Sequence, residues 1–161
     1  MYEQKPWLKF YGNVPQTIDY PRVTMYEALL QTAREKPDAM AYDFMGYTST
    51  YRKFISEIDQ CADALASLGL KKDDRITISM PTSPQGIIAF YAANKLGAVA
   101  SMIHPLSTAK EIEFYLNVAK SRFALTIDAF YAKFKEVQST TPLETLVLAR
   151  IPDYLGLVKR I

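Results

Sequence analysis

A chain of 161 residues, of which 49% are hydrophobic and 22% charged, has the size and balance of one folded globular domain. Its net charge of +2 gives no reason to expect binding to nucleic acid or to an anionic membrane. One cysteine and one histidine exclude an internal disulfide, a cysteine-based zinc site and a histidine-rich metal site. No signal-peptide core follows Met1, and Asn94 and Lys95 interrupt the longest apolar stretch, residues 86–103. We therefore expect a cytoplasmic protein with no transmembrane segment.

The N-terminal residues 1–23 show no periodicity and hold three prolines, which predicts an extended arm ahead of a folded body at residues 24–161. Thr24 and Glu27 have the spacing of a capping box, in which each side chain accepts a backbone N–H of the other residue. A helix is predicted to begin there and to end before Pro37.

A short hairpin and a long helix come next. Residues 39–45 and 47–50 read as two strands joined at Gly46. Thr50 then caps a helix with an apolar stripe at steps of three and four residues, and Gly69 stands where a left-handed residue ends such a helix.

The rest of the chain alternates short apolar runs with capped helical segments. The predicted strands are residues 75–80, 98–103, 122–126 and 145–149. Predicted helices lie between them, at residues 84–96, after Thr108, and at residues 128–137. This alternation predicts an α/β fold with an open, mainly parallel sheet and helices on both faces, preceded by the short N-terminal hairpin.

Three loops follow strands of this sheet, at residues 81–83, 104–107 and 127–128. Ligands of such sheets bind outside the carboxyl ends of the strands, where helix N-termini favour anions. The candidate cofactor-binding residues are Ser83, His104, Ser107 and Thr108. The alternative for the three hydroxyl residues is that they only cap helices. The alternative for the histidine is a bond to its local backbone.

Other reactive side chains are interpreted as structural. Cys61 falls in the apolar stripe of its helix, which indicates core packing and not a nucleophile. Asp73 and Asp74 lie between basic residues, which is typical of a solvated turn. The sequence has only 6 glycines, none of them clustered, and lacks a phosphate-binding loop motif. We therefore predict no catalytic residue and no metal site in this chain.

Five segments, in this order, resemble the start of the acyl-CoA synthetases of the adenylate-forming superfamily. They are Thr50–Phe54, Ala64–Ile76, Met80–Ser83, Lys95–Val99 and His104–Ile112. Asp73 stands where the family has glycine, and His104 stands where it has asparagine. The segments 6–11 and 145–155 are similar to the long-chain fatty-acid branch.

The resemblance implies an activity for an intact enzyme. That enzyme would join a carboxylic acid, of the fatty-acid class, to ATP with Mg²⁺, giving an acyl-adenylate and pyrophosphate, and coenzyme A would then take the acyl group. The family's phosphate loop, ribose-binding aspartate and lid lysine have no match here. We therefore expect an N-terminal subdomain cut before the phosphate loop, which is a scaffold without cofactors of its own and inactive alone.

Two other functions remain open. One is a self-sufficient α/β module that binds a small molecule or regulates a partner. The other is a different adenylate former, either an aryl-CoA ligase or a peptide-synthetase adenylation domain. We also expect homo-oligomers, because apolar side chains of the arm would be left uncovered. These side chains are Trp7, Phe10, Tyr11 and Tyr20.

Overall fold

A computed structural model describes residues 5–155 of the chain. Its helices are α1 (Met25–Glu35), α2 (Tyr51–Ser67), α3 (Pro84–Lys95), α4 (Ala109–Ala119) and α5 (Tyr131–Val137). Its strands are β1 (Met40–Phe44), β2 (Tyr47–Thr50), β3 (Arg75–Ser79), β4 (Val99–Met102), β5 (Phe123–Ile127) and β6 (Thr145–Ala149). Short 3₁₀ helices occupy Pro6–Phe10, Asp128–Phe130, Gln138–Thr140 and Ile151–Tyr154.

The N-terminal arm is not extended throughout, which corrects the sequence-based expectation. Pro6–Phe10 forms a 3₁₀ helix that begins on its proline. Proline presets the backbone angle φ that a helical first turn needs, so it starts a turn here and does not only break structure. Residues 11–24 contain no helix or strand.

The predicted capping box at Thr24 and the predicted hairpin are confirmed. Thr24 Oγ1 accepts the N–H of Glu27 at 3.1 Å, and Glu27 Oε2 accepts the N–H of Thr24 at 2.7 Å. β1 and β2 pair in antiparallel fashion, and both Met45 and Gly46 have positive φ in the two-residue turn between them. This turn geometry matches the natural twist of paired strands.

The main sheet has four strands in the order β4-β3-β5-β6, and each neighbouring pair is parallel. This confirms the predicted parallel α/β sheet. Because all four strands run the same way, the loops after them emerge at one edge of the sheet.

Helices cover both faces of this sheet, as predicted. Phe123 and Leu125 of β5 pack with α2 and α3 in one apolar cluster, whereas Ala124 packs with α4 and α5 in a second. Successive side chains of a strand point to opposite faces, so one strand supplies both clusters. The apolar helix α3 contacts α1 and α2 as well as β3 and β4, so it lies between the sheet and these two helices.

Asp73 occupies a strained turn before β3. Its φ is +67°, a conformation that glycine adopts most freely and aspartate tolerates better than most residues. Its N–H donates to the carbonyl of Gly97 at 2.9 Å. Asp73 therefore has the backbone conformation that a glycine at this position would adopt.

Candidate functional site

The loops after β3 and β4 lie side by side at the carboxyl edge of the sheet, because these two strands are neighbours. A cleft of about 220 Å³ opens there, which we call the α3 cleft. It is lined by Met80, Pro81, Thr82, Ser83, Gly86, Ile87, Phe90 and Met102. The lining is mostly apolar and contains no charged side chain.

Ser83 lies at the N-terminus of α3 and lines the α3 cleft. Its side chain makes no capping hydrogen bond, so it does not act as the helix cap that its position suggests. Only 7% of the residue is exposed, and its Oγ has no hydrogen-bond partner within residues 5–155. A buried hydroxyl without a partner is uncommon in folded proteins.

Gly86 brings the first turn of α3 against the end of β3. A Cβ atom at this position would lie 3.1 Å from the Cβ of Met80, closer than ordinary packing allows. The glycine therefore allows α3 to pack this closely against the end of β3.

Thr108 caps α4 through a complete capping box. Its Oγ1 accepts the N–H of Glu111 at 3.3 Å, and its own N–H donates to Glu111 Oε2 at 2.7 Å. The backbone and side-chain hydrogen bonds from Thr108 lower the pKa of the Glu111 carboxyl. The anionic carboxylate is thus favoured at this helix end.

His104 and Ser107 build the turn that leads into α4. His104 is exposed, and its Nδ1 accepts the N–H of Leu106 at 3.2 Å. Ser107 is buried, its N–H donates to the His104 carbonyl at 3.1 Å, and its own carbonyl accepts from Lys133 Nζ at 2.9 Å. The histidine therefore has the local backbone bond that we gave as the alternative to a ligand contact.

The four candidates do not converge on one site. Ser83 lines the α3 cleft, whereas His104, Ser107 and Thr108 form the neighbouring turn and do not line it. Their role in binding a cofactor stays a prediction.

The third loop at this edge holds Asp128. One carboxylate oxygen of Asp128 accepts the N–H of Ala129 at 2.8 Å, and the other lies 4.0 Å from Arg150 Nε. This carboxylate stabilises the start of a helical turn.

Cys61 packs against the first apolar cluster, and burial raises the pKa of its thiol to about 11. A thiol with this pKa is a poor nucleophile near neutral pH. Within residues 5–155, no group of three histidine, cysteine or acidic side chains is placed to hold a metal ion.

A second cleft, of about 240 Å³, was not anticipated from the sequence. It lies between α2, α3 and β6, and its polar residues include Glu57, Gln85 and Tyr154. Gln85 Nε2 donates to the Arg150 carbonyl at 2.8 Å, and burial raises the pKa of Tyr154 to about 12. These residues come from separate elements, so no local sequence pattern brings them together.

None of the helices in the described part of the chain combines the length and the apolar character that crossing a membrane requires.

The family model for the AMP-binding enzymes matches residues 29–156 of the chain. The matched region includes the parallel sheet and its helices. The chain therefore belongs to the family of AMP-binding enzymes.

Curated relatives give a finer likeness. Over its whole length the chain is 29% identical to the long-chain-fatty-acid–CoA ligase of Bacillus subtilis, and the matched part makes up 29% of that enzyme. Over 97% of its length the chain is 30% identical to the enzyme of the same name from Escherichia coli, and the matched part makes up 28% of that enzyme. The chain therefore spans under a third of the length of these relatives.

Solved structures give the same picture. The N-terminal domain of FACL13 from Mycobacterium tuberculosis superposes with a TM-score of 0.72 and 28% identity, over 85% of this chain and 35% of that chain. The long-chain-fatty-acid-CoA ligase FadD1 from Archaeoglobus fulgidus gives a TM-score of 0.76 at 18% identity, over 83% of this chain and 28% of that chain. The anthranilate CoA ligase AuaEII gives 0.77 at 21% identity, over 84% of this chain and 28% of that chain. The last two likenesses concern the fold.

Proposed function

We propose that this chain forms the N-terminal part of an acyl-CoA ligase that activates a fatty acid with ATP and passes the acyl group to coenzyme A. The supporting observation is the match of the whole chain to long-chain-fatty-acid–CoA ligases, together with the AMP-binding family match. The acid would first form an acyl-adenylate, which gives its carbonyl a good leaving group for the attack of the thiol.

The chain's own share of this reaction is structural. Its sequence has no glycine-rich phosphate loop. The described residues do not provide the cluster of ligands that would hold Mg²⁺. We therefore assign ATP, Mg²⁺ and coenzyme A to other parts of a longer ligase, and we propose that the isolated chain is a scaffold without turnover.

Two arms of one experiment test this proposal. The chain alone is incubated with palmitate, ATP, Mg²⁺ and coenzyme A, and acid-dependent pyrophosphate and thioester are measured. In the second arm, the chain replaces the matching segment of the Bacillus subtilis ligase, and the same ligase without that segment is the control.

We expect no turnover by the chain alone or by the control, and turnover by the chimera. Turnover by the chain alone would overturn the scaffold role. A folded but inactive chimera, beside an active Bacillus enzyme, would contradict the ligase assignment.

The class of acid is tested with the same chimera. The fold is shared with an anthranilate CoA ligase, so an aryl acid is the rival substrate. We expect palmitate to be preferred over benzoate and anthranilate, and the reverse order would favour the aryl class. A self-sufficient binding module is tested by calorimetry, in which stoichiometric ATP binding by the chain alone would favour the module.

We propose in addition that the isolated chain self-associates. Phe10 is 79% exposed and Tyr20 is 80% exposed. Exposed aromatic side chains promote association between copies. Light scattering is expected to show dimers or larger species, and a monomer at high concentration would contradict this.

A further inference from the structure

Glu57 is a half-buried carboxylate on α2 that two tyrosines hold in place. Its Oε2 accepts the Tyr42 hydroxyl at 2.9 Å, and its Oε1 accepts the Tyr47 hydroxyl at 3.4 Å. Both hydroxyls are neutral, so they orient the carboxylate without balancing its charge. Within residues 5–155 Glu57 forms no ion pair, and Lys53, one turn earlier on α2, donates to the Tyr47 hydroxyl instead.

The carboxylate borders the cleft of about 240 Å³ between α2, α3 and β6, which we call the β6 cleft. Much of its wall is apolar and includes Ile88 of α3, Leu125 of β5 and Val147 of β6. Among the described residues that line it, Glu57 is the only charged one. The cleft therefore presents one negative charge beside an apolar surface.

Tyr154 lines the β6 cleft from the 3₁₀ helix after β6. Its ring packs edge to face on the ring of Tyr47, with the centroids 5.3 Å apart. Burial and the negative charge of Glu57 raise the pKa of Tyr154 to about 12, so its hydroxyl is neutral near pH 7. A neutral tyrosine offers an oxygen that accepts hydrogen bonds and a ring face that attracts cations.

Charge and volume together define the class of ligand. A carboxylate or a phosphate would be repelled by Glu57, and an alcohol would leave the negative charge unbalanced. At about 240 Å³ the β6 cleft is smaller than the roughly 300–1,000 Å³ of sites for drug-sized molecules. A small cation with a short apolar stem satisfies both limits.

We propose that the β6 cleft binds an alkylammonium group. The ammonium donates hydrogen bonds to the Glu57 carboxylate and to the Tyr154 oxygen. The alkyl stem packs against Ile88, Leu125 and Val147. This inference goes beyond the proposed ligase function, because its ligand has the opposite charge to a fatty acid and to ATP.

The test is a titration of the ¹⁵N-labelled chain with n-butylamine at pH 7, where the amine is protonated, followed by amide chemical shifts. We expect saturable shifts at Gln85 and Ala149, which line the β6 cleft. Butanol lacks the charge, butyrate reverses it and ammonium chloride lacks the stem. Each is expected to bind at least about tenfold more weakly, since a hydrogen bond to a charged group and the burial of an alkyl stem each contribute at this scale.

Three variants separate binding from general effects of charge and folding. Glu57→Gln keeps an acceptor for Tyr42 but removes the charge, and we expect it to weaken butylammonium binding at least about tenfold. Glu113→Gln removes the same charge from α4, outside the β6 cleft, and is expected to leave the affinity unchanged. Ala149→Leu fills the cleft and retains Glu57, so it should also abolish binding and provides the test if Glu57→Gln does not fold.

An ammonium group can belong to a free amine or to a lysine side chain of a longer ligase. The chimera described above distinguishes these sources when it is titrated with n-butylamine. Unchanged affinity supports the free amine, whereas loss of binding in an active chimera assigns the cation to the ligase itself and overturns the free ligand.

Three results would each overturn the site: no saturable shift at Gln85 and Ala149, equal affinity of butanol and butylammonium, or equal losses in Glu57→Gln and Glu113→Gln. An inactive chimera would contradict the ligase assignment and leave the titrations of the chain alone unaffected. Absence of butylammonium binding would leave the ligase assignment standing.

Discussion

Two glycines end helices in the same way and differ in one contact. Gly69 follows α2 with a φ of +98°, and Gly97 follows α3 with a φ of +71°. In each case the N–H of the glycine and the N–H of the next residue donate to carbonyls in the last helical turn. A Cβ at position 69 would meet nothing within 4 Å, whereas a Cβ at position 97 would lie 3.0 Å from Lys72 Cγ.

Alanine at each position gives a matched pair of perturbations. A left-handed backbone costs a residue with a Cβ roughly 1–2 kcal/mol. The narrower unfolded ensemble of alanine offsets about 0.4–1 kcal/mol of this. Gly69→Ala is therefore expected to lower the free energy of unfolding by about 1 kcal/mol. In Gly97→Ala the Lys72 side chain must also leave its rotamer, at about 0.5–1.5 kcal/mol, so we expect about 2 kcal/mol in total.

Urea unfolding followed by far-ultraviolet circular dichroism measures both costs as shifts of the midpoint at constant slope. Lys72→Ala removes the Cγ and Cδ atoms and leaves a Cβ at 3.5 Å, an ordinary contact. In that background we expect Gly97→Ala to cost about 1 kcal/mol, as at position 69. Equal costs for the two single variants, or no coupling between positions 97 and 72, would refute the contact. A neutral Gly69→Ala would refute the backbone argument itself.

Three further predictions concern single side chains. Thr108→Ala is expected to cost about 1 kcal/mol in urea unfolding. It should also return the Glu111 pKa toward its ordinary value of 4.5, as seen by NMR titration. Because the pKa of Glu111 is lowered on folding, its contribution to stability is present above pH 4.5 and is lost as the pH falls through the folded pKa, so the cost of Thr108→Ala should shrink in acid. Cys61, with a thiol pKa of about 11, should react with iodoacetamide at pH 8 at least about tenfold more slowly in the folded chain than in urea, and equal rates would contradict its burial. Lys120 ends α4 with a φ of +53°, so Lys120→Gly should raise the melting temperature by about 2–4 °C, and a lower value would contradict the strain.

Helix ends and strand direction were readable from the sequence because both depend on local chemistry. The spacing of Thr24 and Glu27 defined one helix start, and Gly69 marked one helix end. The alternation of strands and helices required parallel pairing, and the sheet has it. The order of the strands was not readable, because after β4 the chain passes β3 and adds β5 on its other side. No local pattern encodes that choice, which depends on how α4 and α5 pack against the far face.

The candidate site was readable only in part, for a reason visible at Ser83 and Thr108. Both residues precede helices and have side-chain types that cap, so the sequence assigned them the same alternative roles. They differ in the residue three positions later in the chain, which is Glu111 after Thr108 and Gly86 after Ser83. A glutamate at that position completes the reciprocal bonds, whereas a glycine offers no side chain to do so. A side chain at that position is not required for capping, because Thr50 caps α2 by accepting the N–H of Lys53. Ser83 differs in its backbone, with a φ of −152° against −80° at Thr50, and no local pattern of the sequence predicts that difference.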